Sequence, residues 1–357
     1  MKLNKLALPV LIALVYAPVQ VMASAPTINN PTIFAKTYIT AGANSVVHGD
    51  VVSGDVLTIG DSARVDGTIT SVGASNVGGG TASVSVNMVS GGVATVGAGG
   101  VIGGNLTSSG AATIGASASV GGSMTSGGIA TTGASATVTG NISSGGYASI
   151  GASSQVRGWV AGVGATVIGA GGTTGPLSAL ASSPITPSPT GYTASLVSAV
   201  STIASQTTNK QNAYSAQGPA KSLGTTMTTS TTLTDGGVFS AANFTTTAGI
   251  TLTLDDNGQR HDWIFNIADY LVTGASTSVV LANPNSGSTV TWNVGNGYVA
   301  LGATNNFLGA ILANQYISVG ANTTVKAINS SCGILSAASY VSTGAGAVVE
   351  GNCYNPQ

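Results

Sequence analysis

The most constraining feature of this sequence is an 18-residue repeat that extends from residue 42 to residue 169. Its clearest marker is a glycine that returns at the same point of the repeat, at Gly97, Gly115, Gly133 and Gly151. A short fixed period indicates a solenoid, in which each repeat forms one coil and stacks on the previous coil. Three short strands joined by tight corners fit into such a repeat, so we predict a regular triangular β-solenoid over residues 33–172.

Side-chain columns follow from stacking the repeats. Because neighbouring side chains on a strand point to opposite faces, the recurring Val, Ile, Leu and Met positions are predicted to fill a narrow core. A second set of positions is small and polar and is predicted to point outward: Thr58, Thr95, Thr113, Thr131 and Ser149. Glycines such as Gly104, Gly122 and Gly140 are expected at corners whose backbone angles disfavour a side chain.

Composition argues against several classes of function. Only 5% of the residues are charged, where an ordinary globular chain has about a quarter, and the formal net charge is −1. So weak a charge disfavours nucleic acid and anionic membranes as partners. The chain holds two histidines and ten acidic residues, so we predict no catalytic residue, no metal site and no cofactor. The run Asp255–Gly258 is interpreted as a turn.

Four aspartates lie close together in the first coils, at Asp50, Asp55, Asp61 and Asp66. Carboxylates in stacked coils could bind calcium weakly, but the glycine–aspartate nonapeptide of calcium-binding rolls is missing. We therefore expect these aspartates to solubilise an exposed end of the stack.

The first 23 residues have the pattern of a signal peptide. Lys2 and Lys5 precede an apolar run from Leu6 to Tyr16, and small residues precede a cleavage site that we place after Ala23. The apolar run is too short to span a bilayer as a helix. We therefore expect a secreted protein, either extracellular or periplasmic.

The two cysteines, Cys332 and Cys353, both lie near the end of the chain. In an exported protein a disulfide between them is the favoured interpretation, and two free thiols are the alternative. By the loop-entropy model such a bond contributes about 3 kcal/mol.

The period stops near residue 173, and a Pro-rich connector is predicted over 173–191. Apolar residues at helical spacing, including Tyr192, Leu196, Val200 and Ile203, then predict an α-helix over 192–217. Its predicted length matches the height of six to eight coils, so we expect it to lie along one side of the solenoid. Residues 218–357 form a second, less regular β-rich part.

This second part resembles the ice-binding (antifreeze) protein family of bacteria, fungi and algae, from about Thr190 to Asn352. The matching segments, in order, are GVFS, TLTLDDNG, WIFNI, LVTGASTSVVL, VTWNVG and the pair FLGAILA and ISVGANTTV. The resemblance implies an all-β fold with one long α-helix, namely a triangular, right-handed and irregular β-solenoid with the helix packed along its side.

The resemblance also implies a flat face of mixed Thr, Ser, Ala and Asn that adsorbs to ice. The candidates in the second part are Thr245, Thr247, Thr251, Thr253, Thr273, Thr277, Thr304, Asn305, Ser318, Asn322, Thr323 and Thr343. The outward column of the regular coils is the alternative face. These extra coils depart from the family, and they either extend the same solenoid or form a second one.

From these features we expect a secreted, monomeric ice-binding protein that slows ice growth and recrystallisation and is not an enzyme. One rival is a structural or adhesive surface protein whose regular coils polymerise or bind a matrix. The other rival is a polysaccharide-processing enzyme on the same scaffold.

Overall fold

A computed structural model of the chain describes residues 20–21, 30–179, 185–186, 189–218, 220–328 and 335–351. Almost all of its regular structure consists of short parallel strands, which run in turn through three sheets and so form a triangular solenoid. The two-residue strands Gln20–Val21 and Ile185–Thr186 pair with each other in a separate sheet. The predicted fold class, a triangular β-solenoid with a helix along its side, is confirmed.

Sheet 1 is the first sheet of each coil. In stacking order its 15 strands are Leu177–Ala179, Val160–Gly162, Ile142–Ser144, Met124–Ser126, Leu106–Ser108, Met88–Ser90, Ile69–Ser71, Val51–Ser53, Ile33–Ala35, Leu335–Ala337, Ala310–Ala313, Thr289–Val294, Asp262–Ile267, Gly237–Ala241 and Lys221–Ser222.

Sheet 2 follows sheet 1 in every coil. Its 14 strands, in the same order, are Thr166–Ile168, Ala148–Ile150, Ala130–Thr132, Ala112–Ile114, Ala94–Val96, Ser75–Val77, Leu57–Ile59, Ile39–Ala41, Val341–Thr343, Ile317–Val319, Val299–Leu301, Leu271–Val272, Phe244–Thr246 and Thr226–Met227.

Sheet 3 completes each coil. Its 14 strands are Thr173–Thr174, Gln155–Val156, Thr137–Val138, Ser119–Val120, Val101–Ile102, Ser83–Val84, Arg64–Val65, Val46–His48, Val348–Glu350, Thr324–Lys326, Asn306–Leu308, Ser278–Ala282, Thr251–Asp255 and Thr231–Leu233.

The two parts of the chain form one continuous stack, which decides between the two arrangements left open by the sequence. The coil that begins at Ile33 pairs with the coil that begins at Leu335 in all three sheets. We call this junction the seam. The regular coils extend from the seam in one direction as far as Ala179, and the irregular coils extend from it in the other direction. At about 4.8 Å per coil, sheet 2 is about 60 Å long.

The interior of the prism is a single apolar core that changes character at the seam. In the regular coils it consists of stacked Val, Ile, Leu and Met side chains with almost no exposure, such as Ile114, Val120 and Met124. In the irregular coils strands of five or six residues enclose a wider space, and aromatic rings fill it. The ring centroids of Phe265 and Trp292, for example, lie 4.0 Å apart.

The single described helix spans Pro189–Ser215 and lies on the outer surface of sheet 1. Proline suits the first helical position, because the amide hydrogen that it lacks would have no partner there. Tyr192 and Leu196 pack on Val89 of a regular coil, and Val200 and Ile203 pack on Phe34 and Val52.

The last turns of this helix reach the irregular coils. Asn266 donates a hydrogen bond to the carbonyl oxygen of Tyr214, at 2.8 Å, and Asn293 donates one to that of Gln211, at 3.1 Å. The helix therefore spans the seam and holds coils from both parts of the chain.

Two expectations about the coils are wrong. Asp50, Asp55, Asp61 and Asp66 do not lie at an end of the stack, because the coil before them is covered by the last described coil. Three of the aspartates instead bridge neighbouring coils through their carboxylates: Asp50 accepts a hydrogen bond from the amide of Thr68 at 2.7 Å, Asp61 accepts one from the amide of Gly79 at 2.8 Å, and Asp66 bonds His48 at 2.7 Å.

The corner glycines are also required for a reason other than the one expected. Among Gly49, Gly67, Gly104, Gly122 and Gly140, only Gly49 has a left-handed φ, of 124°. At Gly104 and Gly140 an added Cβ atom would lie 2.4 Å from an atom of the adjacent coil. The close approach of successive coils, more than backbone angle, therefore excludes a side chain at these corners.

Some predictions concern residues outside the described part of the chain. Apart from Gln20 and Val21, the predicted signal peptide lies there, as do Cys332 and Cys353 with their predicted disulfide. Among the described residues, no helix is both long and apolar enough to cross a bilayer.

Candidate functional site

The outer surface of sheet 2 carries one column of small side chains that runs through both parts of the chain. Each sheet 2 strand contributes one outward residue, and the strand register places these residues side by side. In stacking order they are Val167, Ser149, Thr131, Thr113, Thr95, Asn76, Thr58, Thr40, Ser342, Ser318, Ala300, Val272, Thr245 and Thr226. We call this row the central column; its side chains are partly or fully exposed.

A strip without side chains lies along one side of the central column. It consists of the glycine found after the strand in twelve of the fourteen described coils of sheet 2, at Gly42, Gly60, Gly78, Gly97, Gly115, Gly133, Gly151, Gly169, Gly274, Gly302, Gly320 and Gly344. A Cβ atom added at any of these positions would lie 2.4–2.7 Å from an atom of the neighbouring coil. Glycine is therefore required sterically, and the strip keeps this side of the face level.

Larger side chains border the other side of the central column, two residues earlier in each coil. In the regular coils this flanking column is mostly aliphatic, with Val56, Val93 and Ile129 among its members. Around the seam it becomes a ladder of stacked rings in the order Tyr38, Tyr340, Tyr316, Tyr298 and Tyr270, with centroids 4.6–5.7 Å apart.

Stacking also changes the titration of this tyrosine ladder. Partial burial raises the pKa of the Tyr316 and Tyr340 phenols, and so does the proximity of neighbouring phenols. These two phenols therefore stay uncharged at neutral pH.

The three sheets differ in what their outer surfaces present. None of the described sheet 2 strands contains a charged residue. Sheet 3 carries a row of charges, in which Lys326 lies 3.2 Å from Glu350, and His48 bonds Asp66 at 2.7 Å. Sheet 1 is covered by the helix over its middle coils. Only sheet 2 combines an exposed surface with an absence of charge in its described strands.

The sequence candidates divide between several places in the fold. Thr245 and Ser318 lie in the central column, together with all five residues of the alternative face, Thr58, Thr95, Thr113, Thr131 and Ser149. Two residues of the first candidate face and the whole of the alternative face are therefore parts of one surface.

Five candidates are buried and cannot lie on an ice-binding surface: Thr273, Thr277, Asn305, Thr323 and Thr343 are at most 5% exposed. They point into the prism and bond neighbouring coils. Thr323, for example, donates to the carbonyl oxygen of Gly302 at 2.7 Å, and Asn305 accepts from the amide of Thr277 at 2.8 Å. Expecting them at the surface was wrong, because these cross-coil bonds satisfy their polar groups internally.

The remaining candidates are exposed elsewhere. Thr251 and Thr253 point outward from sheet 3. Thr304 and Asn322 occupy corners between sheets 2 and 3 with left-handed φ values of 56° and 55°. Thr247 follows the strand Phe244–Thr246, at the position that is glycine in most coils. These five residues do not form part of the central column.

Sequence reasoning missed six central-column residues, namely Val167, Asn76, Ser342, Ala300, Val272 and Thr226. The signal for Asn76 and Val167 was present, because the repeat itself places both in the column. In the irregular coils the spacing varies, from 28 residues between Val272 and Ala300 to 18 between Ala300 and Ser318, so no fixed period identifies the outward position.

Nothing in the described residues provides a reactive centre. They contain no group of three or more potential metal ligands. A groove of about 380 Å³ between the helix and sheet 1 is lined by neutral side chains such as Asn209 and Gln211 and by one charged residue, Lys36. A single lysine without a partner carboxylate does not make an acid–base pair.

Comparison with known proteins assigns a family. The model of the family described as Ice-binding-like matches residues 123–331. It thus begins inside the regular coils, earlier than the resemblance noted from the sequence, and ends before the last coil. No curated protein matches this chain.

Three similar solved structures are ice-binding proteins of low identity. That of the Antarctic ascomycete Antarctomyces psychrotrophicus is 23% identical, covers 59% of this chain and 93% of its own, and gives a TM-score of 0.36. The DUF3494 domain of Shewanella frigidimarina ice-binding protein_1 is 22% identical, covers 59% of this chain and 92% of its own, and gives a TM-score of 0.37.

The third structure comes from an Antarctic Flavobacteriaceae bacterium. It is 13% identical, covers 92% of this chain and 98% of its own, and gives a TM-score of 0.37. The family match, by contrast, spans more than half of the chain and includes the helix and most of the irregular coils. This chain belongs to the ice-binding-like family.

Proposed function

We propose that this protein is secreted, adsorbs to ice through the outer surface of sheet 2, and thereby inhibits ice growth and recrystallisation. Family membership supports ice as the ligand, and adsorption to ice is not a catalytic activity, so the protein is not an enzyme. The observation that carries the choice of face is the central column, which aligns small side chains along the whole length of sheet 2.

The chemistry of the column suits contact with ordered water. A threonine side chain presents a methyl group, which water does not solvate strongly, next to a hydroxyl group that forms hydrogen bonds. In the regular coils Thr95, Thr113 and Thr131 lie on successive strands and repeat at the strand spacing of about 4.8 Å. Their stacked strands hold these side chains in place before contact, which lowers the entropic cost of adsorption.

The other two surfaces suit this role less well. Sheet 1 is partly occupied by the helix, through Tyr192, Leu196 and Val200. Sheet 3 carries the ionic row that includes Lys326 and Glu350. Charged groups bind water strongly and in their own geometry, so a charged row would compete with an ice-like water layer.

A matched pair of variants in one coil tests the choice of face. Thr131 lies outward on sheet 2 and Thr137 lies outward on sheet 3, and both are partly exposed. Thr131→Tyr places a protruding ring on the proposed face and should reduce thermal hysteresis and recrystallisation inhibition severalfold. Thr137→Tyr should leave both activities at the level of the parent protein, with the same melting temperature.

Other outcomes would count against the proposal. Loss of activity only in Thr137→Tyr would transfer the function to sheet 3. A folded parent protein that is inactive at micromolar concentration and forms filaments would favour the structural rival. Equal activity in the parent and both variants would exclude sheet 2 as the contact surface in these coils.

A further inference from the structure

In two coils the tyrosine ladder carries a hydroxyl group where the central column has none. In the coils of Val272 and Ala300 the central column has no hydroxyl. In each of these coils a tyrosine stands two residues earlier, at Tyr270 and Tyr298.

The regular coils show the opposite arrangement. There the central column carries Thr58, Thr95 or Thr131, and the flanking position two residues earlier is Val56, Val93 or Ile129. In these three coils the hydroxyl of the outward pair therefore lies in the central column, whereas in the coils of Val272 and Ala300 it lies in the tyrosine ladder. The coils of Tyr38, Tyr340 and Tyr316 carry a hydroxyl in both columns, at Thr40, Ser342 and Ser318.

We infer that Tyr270 and Tyr298, at one end of the tyrosine ladder, are part of the ice-contacting surface and supply its hydroxyl groups where the threonine column is interrupted. This inference rests on the proposed function of sheet 2. The ladder lies on the same side of the prism as the central column, and its rings are partly exposed, with Tyr38 at 43%.

The geometry of the ladder suits this role. The centroids of Tyr298 and Tyr316 lie 4.8 Å apart with the rings 8° from parallel, and those of Tyr316 and Tyr340 lie 4.8 Å apart at 2°. Stacked rings restrict each other, so their phenol groups repeat with the period of the coils. Like the threonines, they combine an apolar body with one hydrogen-bonding group.

A purely structural role makes a different prediction. If the ladder only stabilised the seam through stacking, phenylalanine would serve equally well, because it keeps the ring and loses only the hydroxyl. Replacing tyrosine by phenylalanine therefore separates contact with ice from stacking.

The test compares two double variants in the full chain. Tyr270→Phe with Tyr298→Phe removes hydroxyls from the coils whose central residues are Val272 and Ala300. The control, Tyr38→Phe with Tyr340→Phe, removes hydroxyls from coils that retain Thr40 and Ser342 in the central column. We expect the first variant to lose thermal hysteresis activity relative to the control, while both keep the ring stack and the melting temperature of the parent.

A rescue variant completes the test. Adding Val272→Thr and Ala300→Thr to the first double variant returns hydroxyls to the central column and should restore activity even if the phenylalanines alter stability slightly. Equal activity of parent, test and control would overturn the inference, as would equal losses in test and control or a failed rescue. These results differ from failure of the proposed function, in which the parent is inactive or Thr131→Tyr has no effect.

Discussion

Replacing one glycine of the strip beside the central column should disturb both stability and function. At Gly133 an added Cβ atom would lie 2.5 Å from the amide nitrogen of Ala116 and 2.5 Å from the carbonyl carbon of Gly115, in the neighbouring coil. An ordinary contact needs about 3.4 Å, so in Gly133→Ala the two coils must separate locally by almost 1 Å. The hydrogen bond from the Gly133 amide to the Ile114 carbonyl oxygen, now 2.7 Å, would stretch beyond its useful range.

The size of the effect follows from these contacts. Overpacking and one or two weakened hydrogen bonds together cost about 1–3 kcal/mol. With an unfolding entropy of about 2 cal/mol/K per residue, this lowers the melting temperature by about 1–4 °C. Because the displaced strand belongs to sheet 2, recrystallisation inhibition should also fall at a temperature where the protein is fully folded.

The matched control is Gly218→Ala, because an added Cβ at Gly218 has no atom within 4 Å. Calorimetry and a recrystallisation assay on parent, Gly133→Ala and Gly218→Ala would measure both effects. The reasoning fails if Gly133→Ala melts like the control and keeps full activity, since the coils would then accommodate the methyl group without separating.

Two further predictions concern groups away from the face. Asp256 is fully buried and accepts hydrogen bonds from the indole of Trp263, at 2.9 Å, and the amide of Asn285, at 3.0 Å. Asp256→Ala should therefore lower the free energy of unfolding, measured with denaturant, by about 1–3 kcal/mol. The control Asp235→Ala, at an exposed residue, should change it little. Burial raises the pKa of Tyr192 from 10.0 to about 12, so the unfolded chain ionises first and stability falls as the pH rises from 10 towards 12. In thermal melts at increasing pH, the melting temperature of Tyr192→Phe should fall less between pH 10 and 12 than that of the parent. An equal fall in both proteins would contradict the assignment.

How far the sequence could predict the fold depended on coil length. In the regular coils the repeat and the coil have the same length, so the sequence register alone places Ile114 and Val120 inside and Thr113 outside, as observed. In the irregular coils the strands of sheets 1 and 3 lengthen to five or six residues, such as Thr251–Asp255 and Asp262–Ile267. The extra residues shift the register by different amounts in each coil.

The candidate face was harder to predict for a second reason. Some threonines are outward and solvated and others are inward and bonded to the next coil, and residue type alone does not distinguish the two. Thr323 and Ser318 illustrate this, since Thr323 is fully buried and Ser318 lies in the central column. The seam was equally hidden, because it pairs Ile33 with Leu335 across most of the chain.

The regular coils extend from the seam in one direction, so their number sets the length of that part of the solenoid. The coils of the regular array near residues 160–176 lie at the end of the stack furthest from the seam, whereas Tyr192, Leu196, Val200 and Ile203 of the helix pack on coils closer to it. Duplicating an 18-residue unit there would lengthen the proposed ice-contacting face by one step and leave the geometry of the remaining coils intact. Genetic gain or loss of such units is therefore a simple route by which a chain of this architecture can change the area of that face.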